Sequence, residues 1–140
     1  MSRTIIGDDE APARDILREF LGACDDVEIV AECVNGFEAV KAVSEHDPDL
    51  LLLDIQMPKL DGFEVLSLLD RSPIVVFATA HDEYALRAFE VHALDYLLKP
   101  FSEERFRVVM ERVKAQLQRP VRTPAAPLGA ALRQKPLQRI

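Results

Sequence analysis

Cysteine and histidine are scarce: 140 residues hold two Cys, Cys24 and Cys33, and three His. Two thiols without clustered histidines argue against a structural zinc site and against a disulfide scaffold. With no signal-peptide pattern at the start, they point to a reducing, cytoplasmic setting. No apolar run approaches the roughly 20 residues that cross a bilayer; the leucine run Leu50-Leu51-Leu52-Leu53 is far short of it. No membrane association is expected. A GxGxxG or other glycine-rich phosphate loop is missing after the first apolar run, so a bound nucleotide is not indicated. Positive charge is also short, with 17 Lys and Arg against 24 Asp and Glu. A net charge of −7 disfavours nonspecific nucleic-acid binding by the whole chain. The deficit is uneven, because seven of the basic residues and no acid fall between Arg112 and Ile140. An acidic body precedes a basic tail.

What is present is a fivefold alternation of short apolar runs with stretches of helical period, the pattern of a parallel sheet covered on both faces. Thr4-Ile5-Ile6 opens it, and Pro12 suits the first turn of a helix whose stripe is Ile16, Leu17, Phe20 and Leu21, ending at Gly22. Val27 to Val34 predicts a second strand. Asn35-Gly36 predicts a turn before the helix of Phe37, Ala39, Val40 and Val43, which Pro48 stops. Leu50 to Leu53, apolar at consecutive positions, is a central strand buried on both faces. Phe63, Leu66 and Leu69 mark a third helix, Ile74 to Ala78 a fourth strand, Tyr84 to Val91 a fourth helix and Leu94 to Leu98 a fifth strand. A last helix follows Ser102, whose hydroxyl suits its cap. Residues 1–118 are thus expected to form one α/β domain, a parallel sheet covered by helices on both faces. Residues 119–140, with four prolines and few large apolar groups, are expected to be a linker.

In such sheets ligands bind at the carboxyl ends of the strands. The residues that fall there are Asp8, Asp9 and Glu10, then Asp54, Thr79 and Lys99. Carboxylates gathered at one mouth repel, and a hard divalent cation with oxygen ligands relieves them, so magnesium is the expected metal. Lys99 adds a second positive charge and Thr79 a hydroxyl donor, which together suit the oxygens of a phosphoryl group placed on one carboxylate. Asp54 stands out, since an acid directly after four leucines of a buried strand is costly unless it serves a site.

Taken in order, Asp8-Asp9-Glu10, Asp54 with Met57-Pro58 and Asp61-Gly62, Thr79-Ala80, and Tyr96 with Lys99-Pro100-Phe101 resemble the receiver domains of bacterial two-component response regulators. The resemblance spans residues 4–118 and implies a flavodoxin-like fold, doubly wound in strand order 2-1-3-4-5. It implies that Asp54 accepts a phosphoryl group from a sensor histidine kinase. It further implies that Asp9, Asp54 and the backbone carbonyl of Gln56 bind Mg2+ directly with Asp8 acting through water, that Lys99 and Thr79 hold the phosphoryl group, and that Tyr96 follows Thr79 in the switch. Positions 56 and 81, filled here by Gln56 and His81, resemble those that tune hydrolysis. The run from Thr79 to Glu90 with Ala93 to Leu98 resembles receivers that precede a LytTR-type DNA-binding domain, which implies transcription regulation, with DNA bound only through such an output domain. Homodimerisation through the fourth helix, fifth strand and fifth helix is expected on activation. Two residues depart from the common pattern: His81, where Tyr is frequent, and Gly7, where a branched apolar residue is usual and glycine costs roughly 0.5–1 kcal/mol.

Plainer roles are expected elsewhere: Asp61 as a helix cap, Glu103-Glu104 as first-turn acids, and His46 and His92 as solvated helix-end residues. Two other functions compete with the switch. A magnesium-dependent phosphohydrolase with an aspartyl-phosphate intermediate suits the same residues, though Ile55-Gln56 follow Asp54 where such an enzyme needs its general acid. A stand-alone phosphorelay receiver without an output domain is the other.

Overall fold

The computed structural model describes residues 1–119. The expected linker therefore lies, beyond its first residue, outside the described residues. Five strands, β1 (Ser2–Gly7), β2 (Val27–Cys33), β3 (Leu50–Leu53), β4 (Ile74–Thr79) and β5 (Asp95–Leu98), form one parallel sheet in the order β2-β1-β3-β4-β5. The helices between and after them are α1 (Ala11–Leu21), α2 (Gly36–His46), α3 (Gly62–Leu68), α4 (Ala85–Glu90) and α5 (Glu103–Leu117).

Strand alternation sorts the core into two layers. Ile5, Leu51, Leu53, Val75 and Phe77 point to one face, against Ala39 and Val43 of α2, Val65 and Leu66 of α3 and Ala88 of α4. Ile6, Leu50, Leu52, Val76, Ala78 and Leu97 point to the other, against Leu17 and Leu21 of α1 and Phe106, Val109 and Val113 of α5. All four leucines of β3 are fully buried. Each contributes about 2 kcal/mol of transfer free energy, and none has a solvent face to leave polar.

The helix ends follow local chemistry. Asp61 and Glu64 form a capping box at α3, Ser102 accepts from the Arg105 N–H at α5, and Glu103 and Glu104 occupy the first turn of α5. Asp47 closes α2 in the left-handed region, with φ 47°, directly before Pro48. Gly22 ends α1 in ordinary right-handed geometry, so its lack of a side chain is not what stops that helix. His92 follows α4 exposed, whereas His46, at the end of α2, is half-buried, and its carbonyl accepts from the Arg3 guanidinium.

Three expectations shift. Strand β2 ends at Cys33, because the Val34 N–H donates to Glu38 Oε1 at 3.0 Å instead of joining the ladder. Asn35-Gly36 is no free turn: Asn35 caps α2 by accepting from the Glu38 N–H at 2.8 Å, and Gly36 is already helical. A Cβ on Gly36 would overlap the carbonyl oxygen of Leu60, so glycine is required there by the approach of the loop after β3. The fourth helix is broken, with a 3-10 turn at Asp82–Tyr84 preceding α4. At Gly7 the room left by the missing side chain is taken by its register partner Leu53, whose Cδ1 lies 2.7 Å from where a Cβ would stand.

Candidate functional site

The site residues are placed by the sheet itself. Beyond the last residue of three strands the ladder runs one hydrogen bond further: Asp8 N donates to the Cys33 carbonyl at 3.0 Å, Asp54 N to Gly7 at 2.8 Å and Lys99 N to Thr79 at 2.8 Å. Asp8 and Asp54 are therefore held by backbone bonds at the ends of neighbouring strands and Lys99 two strands along, and their side chains meet over the sheet edge. Arg14 of α1 secures the first of them, donating to the Asp8 carbonyl at 2.8 Å.

Lys99 Nζ lies 2.7 Å from Asp8 Oδ2 and 3.1 Å from Asp54 Oδ2, and bridges the two acids. Asp8 Oδ1 accepts from the Glu10 N–H at 3.0 Å, and Asp54 Oδ1 accepts from the Ile55 N–H at 2.6 Å and the Gln56 N–H at 3.3 Å. Asp8 and Asp54 are buried, while Asp9 is exposed. Burial raises the Asp8 carboxyl above its ordinary value, against the hydrogen bond and charge of Lys99. For Lys99 burial works toward a lower value, but Asp8 and Asp54 outweigh it and keep the ammonium above the ordinary lysine range. Three acids against one cation leave this mouth short of positive charge.

Two observations bear on what could fill it. One oxygen from each of Asp8, Asp9 and Asp54 lies within 4.8 Å of the others, an all-oxygen donor set of the kind hard divalent cations take. Thr79 closes β4 fully buried, and its Oγ1 has no hydrogen-bond partner. Such a hydroxyl is costly unless a further acceptor arrives.

Around the mouth, Tyr96 is half-buried and packs on the β3–α3 side of the core; its hydroxyl donates to the His81 carbonyl. Burial raises its phenol above the ordinary value. The Gln56 side chain is held by Tyr84, donating from Nε2 to Tyr84 Oη at 3.0 Å. The His81 ring stands edge-on to Tyr84 with centroids 6.1 Å apart and Nδ1 3.8 Å from Glu83 Oε2. The structure thus brings Asp8, Asp9, Asp54, Thr79 and Lys99 to one place, and sets Gln56, His81 and Tyr96 around the 3-10 turn beside it. Sequence reasoning missed Arg14 and Tyr84. Arg14 carries a signal in its spacing, one helical turn into α1 from the acids, but Tyr84 looked like the first residue of a helix. Cys24 and Cys33 are both free, and burial pushes the Cys33 thiol up to about 11.

A doubly wound parallel sheet carries an acid cluster and a lysine at its carboxyl edge, the place where α/β proteins of this class bind their ligands. The chain matches the family described as response regulator receiver domain over residues 4–111. It is 50% identical over 119 residues, 84% of its length, to an uncharacterized response regulatory protein of Yersinia pestis, of which this covers 50%. It is 48% identical over 118 residues, 83% of its length, to the transcriptional regulatory protein BtsR of Escherichia coli K12, of which this covers 49%. The chain spans about half the length of these curated relatives. Among solved structures, the response regulatory domain of mrkE from Klebsiella pneumoniae superposes with a TM-score of 0.76 at 33% identity, covering 84% of this chain and 99% of that one. The REC domain of AraT from Geobacillus stearothermophilus gives 0.75 at 34%, covering 84% and 95%. The chain belongs to the response regulator receiver domain family, whose members are signalling switches of two-component systems rather than classical enzymes. Among the described residues, no helix is long and apolar enough to cross a membrane.

Proposed function

We propose that this chain is a phosphorylatable switch whose acceptor is Asp54. The observation that carries this is the Lys99 ammonium bridging Asp8 and Asp54 beside the unpartnered Thr79 hydroxyl. A carboxylate oxygen of Asp54 attacks the phosphorus of a phosphohistidine on a sensor histidine kinase. The N–P bond breaks, and the histidine nitrogen leaves with the electron pair. Lys99 donates to one oxygen of the transferred group and Thr79 to another, which satisfies the orphaned hydroxyl. Asp8, Asp9, Asp54 and the Gln56 carbonyl are the residues that would hold Mg2+. That ion supplies, when bound, the positive charge the three carboxylates lack.

The same site runs its own phosphorylation from small donors and its own hydrolysis, with Gln56 and His81 tuning the latter. When Thr79 turns to the phosphoryl group it vacates space toward Tyr96, which then exchanges its bond to His81 for an inward position. The output is transcription regulation through a LytTR-type DNA-binding domain reached by the linker of residues 119–140. Support for it comes from the Thr79–Leu98 resemblance and from relatives, named transcriptional regulatory proteins, of which this chain covers half. Two free thiols favour the cytoplasm. The test is acetyl phosphate with magnesium, borohydride trapping and peptide mass spectrometry: label on Asp54 alone is expected, and label on Asp8, Asp9 or Asp61 instead would overturn the assignment.

A further inference from the structure

Tyr84 joins two parts of the site that the sheet does not connect. Its hydroxyl accepts the Gln56 Nε2–H at 3.0 Å, reaching the loop two residues past Asp54. Its ring packs on Phe63 of α3 with centroids 6.0 Å apart, and Phe63 in turn packs on Phe77 of β4 and under the Arg87 guanidinium. Its backbone belongs to the 3-10 turn Asp82–Tyr84, which the Tyr96 hydroxyl holds from the other side through the His81 carbonyl. The ring is thus fixed by packing, and the hydroxyl presents one acceptor to an otherwise exposed glutamine.

We propose that Tyr84 is a positioning residue for the phosphoryl lifetime: it holds the Gln56 amide back from Asp54. This rests on Asp54 being the phosphoacceptor. In hydrolysis a water oxygen attacks the phosphorus while the bond from phosphorus to the Asp54 oxygen breaks. The products are the Asp54 carboxylate, inorganic phosphate and one proton released to solvent. Gln56 neither gives nor takes that proton, but a free amide beside Asp54 orients the attacking water, and an amide tied to Tyr84 does not. Because Tyr96 holds the same turn, its release from His81 loosens Tyr84 and with it Gln56.

The experiment is the decay of acetyl phosphate-labelled full chain in wild type, Tyr84→Phe, Gln56→Ala and the double variant. Tyr84→Phe keeps the ring on Phe63 and removes one hydroxyl, so circular dichroism and the urea midpoint should not move. Decay should quicken about fivefold, the factor one ordinary hydrogen bond places on a freed side chain. In the Gln56→Ala background the same change should do nothing, an outcome a merely structural role of Tyr84 does not produce. Wild-type decay in Tyr84→Phe, or acceleration that persists undiminished without Gln56, overturns the inference while leaving Asp54 as acceptor. No label on Asp54 in wild type overturns the reading beneath it.

Discussion

At the scale of single residues, the site is a charge problem with a built-in partial answer. Lys99 neutralises one of three carboxylates, and Asp8 and Asp54 share it. Asp54→Asn should abolish acetyl phosphate labelling, leave Lys99 its 2.7 Å bond to Asp8, and keep or raise the urea midpoint, since one of three repelling acids is gone. A lower midpoint by more than about 1 kcal/mol in ΔG would show that the Asp54–Lys99 contact outweighs the repulsion. His81 meets Tyr96 through its carbonyl, which any residue supplies, while its ring leans on Tyr84 and toward Glu83. His81→Ala should therefore retain phosphorylation of Asp54, and any role of the imidazole in hydrolysis will show as a changed decay rate.

At the scale of elements, one half-buried carboxylate ties β5 to α5. Asp95 at the start of β5 binds Arg105 at 3.0 Å and Arg112 at 2.7 Å, both on α5, and accepts from the Tyr96 N–H at 2.8 Å. Burial alone works to raise the Asp95 carboxyl, but the Tyr96 N–H and the two guanidiniums outweigh it and hold it below its ordinary value. A depressed carboxyl contributes stability above its unfolded value near 3.8 and loses it as pH falls through the lower folded value. Asp95→Asn should thus cost about 1 kcal/mol at pH 7, modest because both arginines are half exposed, and the gap to wild type should close below pH ~3.8. Urea midpoints across that range measure it. Gly36→Ala should cost about 1–3 kcal/mol and slow labelling, because the new Cβ pushes the Leu60 backbone and with it the loop after Asp54. The five strands and the strand-end acids were legible in the sequence because runs such as Leu50–Leu53 and the acids after them depend only on alternation and length, whereas the strand order came with the family resemblance. The 3-10 break at Asp82–Tyr84, the Tyr84–Gln56 bond and the demand for Gly36 were not, because each depends on where two loops distant in sequence come to rest. Periodicity carries nothing about that.

At the scale of the whole molecule, the two core layers give the sheet unequal neighbours. The α4 side ends in a short helix with Leu86 71% and Phe89 67% exposed, and Leu98 of β5 adds a further 45%-exposed side chain. A phosphoryl mimic should raise the dimer fraction in sedimentation by covering this face, as a symmetric contact between copies. The same monomer fraction with and without the mimic would separate the output from dimerisation. The pairing of Gly7 with Leu53 reaches beyond any one state of the switch. These two residues, each directly before a site acid, divide a single parcel of space, so what one position tolerates depends on what fills the other. Gly7→Val alone overfills the parcel and Leu53→Ala alone empties it, whereas the double change restores its volume. The melting temperature of the double variant should exceed that of either single one, so that a branched residue at position 7 goes with a smaller one at position 53 and neither is judged alone.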